Sequence, residues 1–158
     1  MPKIEFRENK ILKLTNVLSR KVPTKEITHQ DKQFIMLANW IKAKGYESVG
    51  PIIVYNSGLQ GTDEDGQPII ESRILVQLKN DHVRLEMPYR FEKELRVENC
   101  LLARFHDKAE KLQFAISKLT LFAYENDIEL TGETYTILVE QSEEGVLLAD
   151  VFMPVAKK

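Results

Sequence analysis

The stretch Phe34-Ile35-Met36-Leu37-Ala38-Asn39-Trp40-Ile41, running on to Gly50-Pro51-Ile52, has a counterpart of the same character in Ile116-Ser117-Lys118-Leu119-Thr120-Leu121-Phe122-Ala123, running on to Gly132-Glu133-Thr134. The offset is 82 positions: Phe34, Leu37, Trp40, Ile41 and Gly50 fall on Ile116, Leu119, Phe122, Ala123 and Gly132. In both, apolar residues recur at helical spacing and a Gly turn precedes a strand-like run. Reading outward, each half gives strand, helix, Gly turn, strand, hairpin, strand. The chain therefore predicts a single domain over residues 1–158 built as a tandem βαββ repeat. Repeat one covers about 9–78, a bridge about 79–91, and repeat two about 92–155.

The individual elements follow from local patterns. Lys10 to Lys25 alternates enough for a strand that bends or bulges near Pro23. Thr28 reads as a helix N-cap, with Asp31 in the capping-box position. Lys42, Lys44 and Gly45 form the stop of that helix. Ile52-Ile53-Val54-Tyr55 favours a strand, Asn56 to Gln67 a long hairpin loop, and Pro68 to Leu78 the returning strand. In the bridge, Leu85, Met87, Tyr89 and Phe91 alternate like a crossing strand. The second half predicts a strand near Arg96 to His106 and a helix from about Lys108 to Asn126. Strands follow at Glu133 to Gln141 and Val146 to Val155, joined by a turn at Glu143-Glu144-Gly145. Hairpin neighbours make antiparallel pairs, and one helix per half has one sheet face to cover. The predicted fold is α+β with pseudo-twofold symmetry: an antiparallel sheet, both helices on one face, and a groove between the repeats. Grooves of that kind are where small-molecule pockets open.

Composition narrows the function classes. The 158 residues are 43% hydrophobic and 29% charged, the profile of a globular domain whose folding buries roughly 70% of its surface. The formal net charge of −2, from 22 basic and 24 acidic residues, leaves no excess to neutralise a phosphate backbone, so direct nucleic-acid binding is not expected. No apolar run approaches the ~20 residues of a membrane span, and the N-terminus lacks a signal-peptide h-region, so neither membrane nor export is expected and the cytoplasm is the default. The lone Cys100 lies in the apolar run Cys-Leu-Leu-Ala and reads as a buried strand residue. His29, His82 and His106 have no metal-ligand spacing, and Gly58, Gly61 and Gly66 lack the ending of a phosphate loop. Asp63-Glu64-Asp65 reads as a solvated turn. No metal, no cofactor and no nucleophile elbow is expected.

In the second half, Leu101-Leu102-Ala103-Arg104-Phe105-His106, the helix with Phe122 near its end, Gly132-Glu133-Thr134-Tyr135 and Val151-Phe152-Met153-Pro154-Val155 resemble the pattern of GyrI-like domains. These are the SOUL-like effector-binding domains of AraC-type and MerR-type multidrug-responsive activators, found also alone in bacterial gyrase-inhibitory proteins. Gly50-Pro51-Ile52 and Tyr55 resemble the weaker first repeat. The chain departs from the pattern at His106-Asp107-Lys108-Ala109, where the family often carries a Gly and an aromatic. With all residues used by the repeat, the resemblance implies a stand-alone binding module.

The same resemblance implies a pocket between the repeats, lined by aromatics and holding an acid for cationic ligands. Glu133 matches that acid, and Tyr135 lies two positions on, on the same strand face. A buried carboxylate needs a partner, so an empty pocket should leave Glu133 protonated or hydrogen-bonded, a tyrosine hydroxyl being one candidate. Aromatic faces would add cation–π attraction of roughly 0.5 to 2 kcal/mol each. The candidate lining is Trp40, Tyr55, Tyr89, Phe91 and Phe152. Each has a plainer reading: Glu133 as a rim carboxylate, Trp40 as core, Tyr55 and Tyr135 as sheet residues with wet hydroxyls, Tyr89 and Phe91 as closure of the bridge. The preferred function is binding of an apolar small molecule, either neutral or cationic, for sensing or sequestration. The alternatives are a small-molecule hydrolase using Glu133 and Tyr135, and a module that docks a protein partner. Edge strands of the sheet would offer a route to a homodimer.

Overall fold

The structure, a computed structural model, describes residues 3–22, 30–58, 64, 66, 71–84 and 89–156. In chain order these form β1 (Lys3–Val22), α1 (Gln30–Ala43), β2 (Ser48–Ser57), β3 (Glu71–Leu78), β4 (Tyr89–Lys108), a short 3-10 turn (Ala109–Lys111), α2 (Leu112–Glu125), β5 (Glu133–Gln141) and β6 (Val146–Pro154). All strand pairs are antiparallel, and the α+β class holds.

The open sheet expected from the sequence is replaced by a closed barrel, in the order β1-β3-β2-β5-β6-β4. Two pairings close it: β2 with β5, and the long ladder of β1 with β4 from Lys3↔His106 to Arg20↔Tyr89. Closure satisfies the backbone groups that an edge would expose. It leaves no free edge, among the described residues, for pairing two copies. The sheet face expected to carry an open groove becomes the barrel interior.

Several boundaries also move. β1 starts at Lys3, well before the expected Lys10, and ends at Val22. Pro23 and the Thr28 cap lie outside the described residues, as does Asp31's side chain; so do Leu85 and Met87 of the bridge and the expected start of β3 at Pro68. Tyr89 and Phe91 belong to β4, which extends the expected strand at Arg96 backwards. α2 is preceded by the 3-10 turn where a helix start at Lys108 was expected.

The breaks in β1 come at asparagines. Asn9 and Asn16 adopt positive φ (55° and 50°), a conformation that Asn tolerates better than most side chains. A regular strand keeps its even-numbered residues on one face. Here Ile4 and Phe6 pack on the layer beneath α2, Leu12 and Leu14 enter the interior cluster, and Leu18 and Val22 pack beneath α1. The ladder register shifts on either side of Lys10, just past Asn9. Asn99 (φ 53°) makes a matching break in β4, so that Leu95 and Val97 before it and Cys100 and Leu102 after it all face the interior. One strand thus serves three layers.

Three packed regions result. α1 lays Leu37 and Ile41 on Leu18, Ile74, Val76 and Leu78, outside the barrel. α2 lays Ala115, Leu119 and Ala123 on Leu101, Ala103, Phe105, Ala149, Val151 and Met153. The interior holds Leu12, Leu14, Val17, Ile53, Leu75, Cys100, Tyr135 and Phe152. Fully burying a Leu or Phe contributes roughly 1.5 to 3 kcal/mol, so each helix is held chiefly by its buried stripe. Gly45 (φ 76°) ends α1: its positive φ lets the Tyr46 amide donate back to the Ile41 carbonyl at 3.0 Å. Among the described residues no helix is long and apolar enough to cross a membrane.

Candidate functional site

β2 runs between β3 and β5, and its pairing composes the site. Tyr55 stands opposite Arg73 on one side and Tyr135 on the other; Ser57 stands opposite Glu71 and Glu133. Two rows therefore cross three strands, Arg73–Tyr55–Tyr135 and Glu71–Ser57–Glu133. With strands about 4.8 Å apart, the two carboxylate-bearing backbones are roughly 10 Å apart. From the other wall, Ser19 stands opposite both Leu75 and Arg90, and Val17 opposite Glu92.

These rows enclose a cavity of about 210 Å³, lined by Val17, Ser19, Tyr55, Glu71, Arg73, Leu75, Arg90, Glu92, Leu95 and Tyr135. Strands β1, β2 and β3 from the first half and β4 and β5 from the second all contribute. The base is apolar and aromatic, with the Tyr55 and Tyr135 rings 4.9 Å apart and tilted by 51°. Arg90 and Glu92 are exposed at the rim, whereas Arg73 is buried.

Glu133 stands one side chain back. The Tyr55 hydroxyl donates to its Oε2 at 2.8 Å, the partner that a half-buried carboxylate needs. Burial, followed by the bond to Glu133 and its charge, pushes the Tyr55 phenol up to about 12. Tyr135 is raised further, again chiefly by burial and then by Glu133. Both phenols are held as neutral donors with aromatic faces. Burial likewise pushes Cys100, inside the barrel, up to about 11, which keeps it a thiol.

Arg73 donates from Nε and Nη2 to Ser19 Oγ at 3.2 and 3.1 Å, and its Nη1 lies 3.5 Å from Glu71 Oε1. Burial and then the charge of Arg90 lower its pKa. The ordinary structural arginine of this barrel looks different. Arg104 grips Asp150 in bidentate fashion at 2.9 and 3.1 Å, across the β4–β6 ladder.

The sequence-derived candidates separate into two places. Tyr55 and Tyr135 line the cavity, Glu133 stands behind them on the Tyr55 hydroxyl, and Phe152, opposite Tyr135, is buried in the same interior cluster without lining the space. Trp40, Tyr89 and Phe91 lie on the other side of the sheet, in the layer beneath α1. There Trp40 stacks on Tyr89 at 4.1 Å, and the Tyr89 hydroxyl accepts from Arg20 Nη1 at 3.0 Å. Ser19, Glu71, Arg73, Arg90 and Glu92 were not singled out from the sequence. Their signal is alternation: Glu71, Arg73 and Leu75 share one face of β3, while Ile74 and Val76, on the other, already fill a core. β3 is buried on both faces, so Arg73 faces the cavity rather than solvent.

Solved structures share this fold of a six-stranded antiparallel barrel flanked by two helices. The C-terminal domain of EcmrR superposes with a TM-score of 0.67 at 12% identity, covering 100% of this chain and 99% of that one. EcmrR in its DNA complex gives 0.70 at 10% identity over 99% of this chain, which spans 58% of that longer protein. SAV2435 bound to tetraphenylphosphonium gives 0.55 at 7% identity, covering 98% and 94%. No protein-family model matches the sequence, and neither does any curated protein. The GyrI-like fold read from Leu101–His106, Gly132–Tyr135 and Val151–Val155 is thereby shown.

Proposed function

We propose that this chain binds an apolar small molecule with a cationic group, for sensing or sequestration in the cytoplasm, and that the binding place is the interior cavity between two βαββ copies. The observation that carries this reading is the Tyr55–Tyr135 pair: two neutral aromatic faces lining a cavity, with the Glu133 carboxylate held behind them by the Tyr55 hydroxyl. A cation entering there meets ring faces and a negative charge together. The likeness to SAV2435, whose structure holds tetraphenylphosphonium, supports the ligand class, and the likeness to the EcmrR C-terminal domain supports the family of modules. The copies are supported by the equivalent places of Leu37 and Leu119, both buried in helix stripes, and of Trp40 and Phe122, each stacked on a strand aromatic.

The test is a thermal-shift series with tetraphenylphosphonium, cationic dyes and neutral apolar compounds on the wild type and on Glu133→Gln. Ligand that binds the native state raises the melting temperature with concentration. Cation-selective shifts that shrink in Glu133→Gln are expected. No shift with any class would end the reading.

A further inference from the structure

Resting on that reading, we infer that the cavity also recognises an anionic group of its ligand, a carboxylate or a planar anion of similar size, through Arg73 and Arg90, so that the preferred ligand is a small amphoteric molecule rather than a simple lipophilic cation. Among the described residues, the charged side chains that line the cavity are Arg73, Arg90, Glu71 and Glu92, whose formal charges cancel. A lining of that kind is dipolar. It has no reason to select a cation alone, and it offers a positive end that a pure cation would leave unanswered.

The positive end is loosely held. Arg73 is 6% exposed, yet its guanidinium meets one neutral hydroxyl oxygen, that of Ser19, with two of its N–H groups, and a carboxylate only at 3.5 Å. The Arg104–Asp150 pair shows what a satisfied arginine looks like in this barrel, although that guanidinium is largely exposed and has less need of a partner. Arg90 lines the same cavity, repels Arg73, and takes part in none of the ion pairs among the described residues. A planar anion between the two guanidiniums would remove that repulsion and match the fork of N–H donors. Tyr55 stands opposite Arg73 and lines the cavity, so the other end of a short amphoteric molecule would meet its ring with the Glu133 charge held behind it. The volume of about 210 Å³ sits below the roughly 300 to 1,000 Å³ of drug-sized pockets, which favours a compact ligand.

The experiment is calorimetric titration with probes that share one body and differ in charge: phenylpropanol, phenylpropylamine, phenylpropionate and phenylalanine. Phenylpropionate should bind on the order of tenfold more tightly than phenylpropanol, as expected for charge-assisted hydrogen bonds. That gain should disappear in Arg90→Gln, an exposed substitution that leaves the core intact, and in Arg73→Met. Phenylalanine should lose affinity in both an arginine variant and Glu133→Gln. If phenylpropanol and phenylpropylamine bind while phenylpropionate binds no better than the alcohol, the anion site is overturned and the cation reading stands. If phenylpropionate gains but keeps its gain in both arginine variants, the assignment to Arg73 and Arg90 is overturned. If no probe binds, the small-molecule reading falls and the inference falls with it.

Discussion

Two aromatic clusters sit back to back on the same sheet and have different surroundings. Beneath α1, Trp40 stacks on Tyr89 with Tyr46 and Phe91 alongside, and Leu18, Val22, Leu37, Ile41 and Ile74 fill the rest. Inside the barrel, Tyr55 and Tyr135 also pair, but they share their space with Ser19, Glu71, Arg73 and an open volume. Aromatic content is therefore a poor guide to a binding place. What distinguishes the interior is charge held next to unfilled space, because charges are kept in a core only when something answers them.

Substitutions can break that contrast, and the largest effect should come from the α1 layer. Leu37→Ala, at 2% exposure, removes the centre of the helix stripe and should destabilise the protein by about 2 to 5 kcal/mol, read as a lower denaturant midpoint, without changing the ligand preference of the surviving fold. Tyr55→Phe should cost about 1 to 2 kcal/mol, because Glu133 loses its 2.8 Å donor, and it should also weaken selectivity for cations. The same variant carries a pH signature. A phenol raised from its ordinary value of 10 to about 12 keeps its proton in the folded state where the unfolded chain loses it. Its contribution is fully present below about pH 10 and is lost as pH rises through about 12, so wild-type stability should fall more steeply over that window than that of Tyr55→Phe.

Smaller effects sharpen the contrast further. Trp40 is the single tryptophan of the chain and lies outside the cavity, so its fluorescence should report unfolding strongly and ligand binding weakly. A quench that tracks saturation would move the ligand to the α1 layer. Cys100, fully buried with its thiol raised to about 11, should resist a disulfide reagent at pH 8 until denaturant is added.

The sequence made the helices, the succession of elements along the chain and the buried nature of Cys100 legible, because helical stripes, Gly turns and a buried apolar run are local signals. It also pointed to Glu133, Tyr135 and Tyr55 through short motifs, and the structure puts these three together. Barrel closure was not legible. It depends on β2 meeting β5 and β1 meeting β4, pairings between residues far apart in the chain that no periodicity announces. The asparagine breaks were hidden for a related reason: Asn9, Asn16 and Asn99 look like surface residues until the face change they impose is seen. Arg73, between Ser72 and Ile74, reads in sequence as one charge in an ordinary strand; only burial on both faces gives it an inward role.

The most direct test of the account is calorimetric titration of one compact aromatic cation, phenylpropylamine, into Tyr135→Leu and Trp40→Leu beside the wild type. The interior cavity predicts an affinity loss on the order of tenfold in Tyr135→Leu, where a ring face is lost, and unchanged affinity in Trp40→Leu. Full affinity in Tyr135→Leu with loss in Trp40→Leu would contradict it and place the binding surface beneath α1.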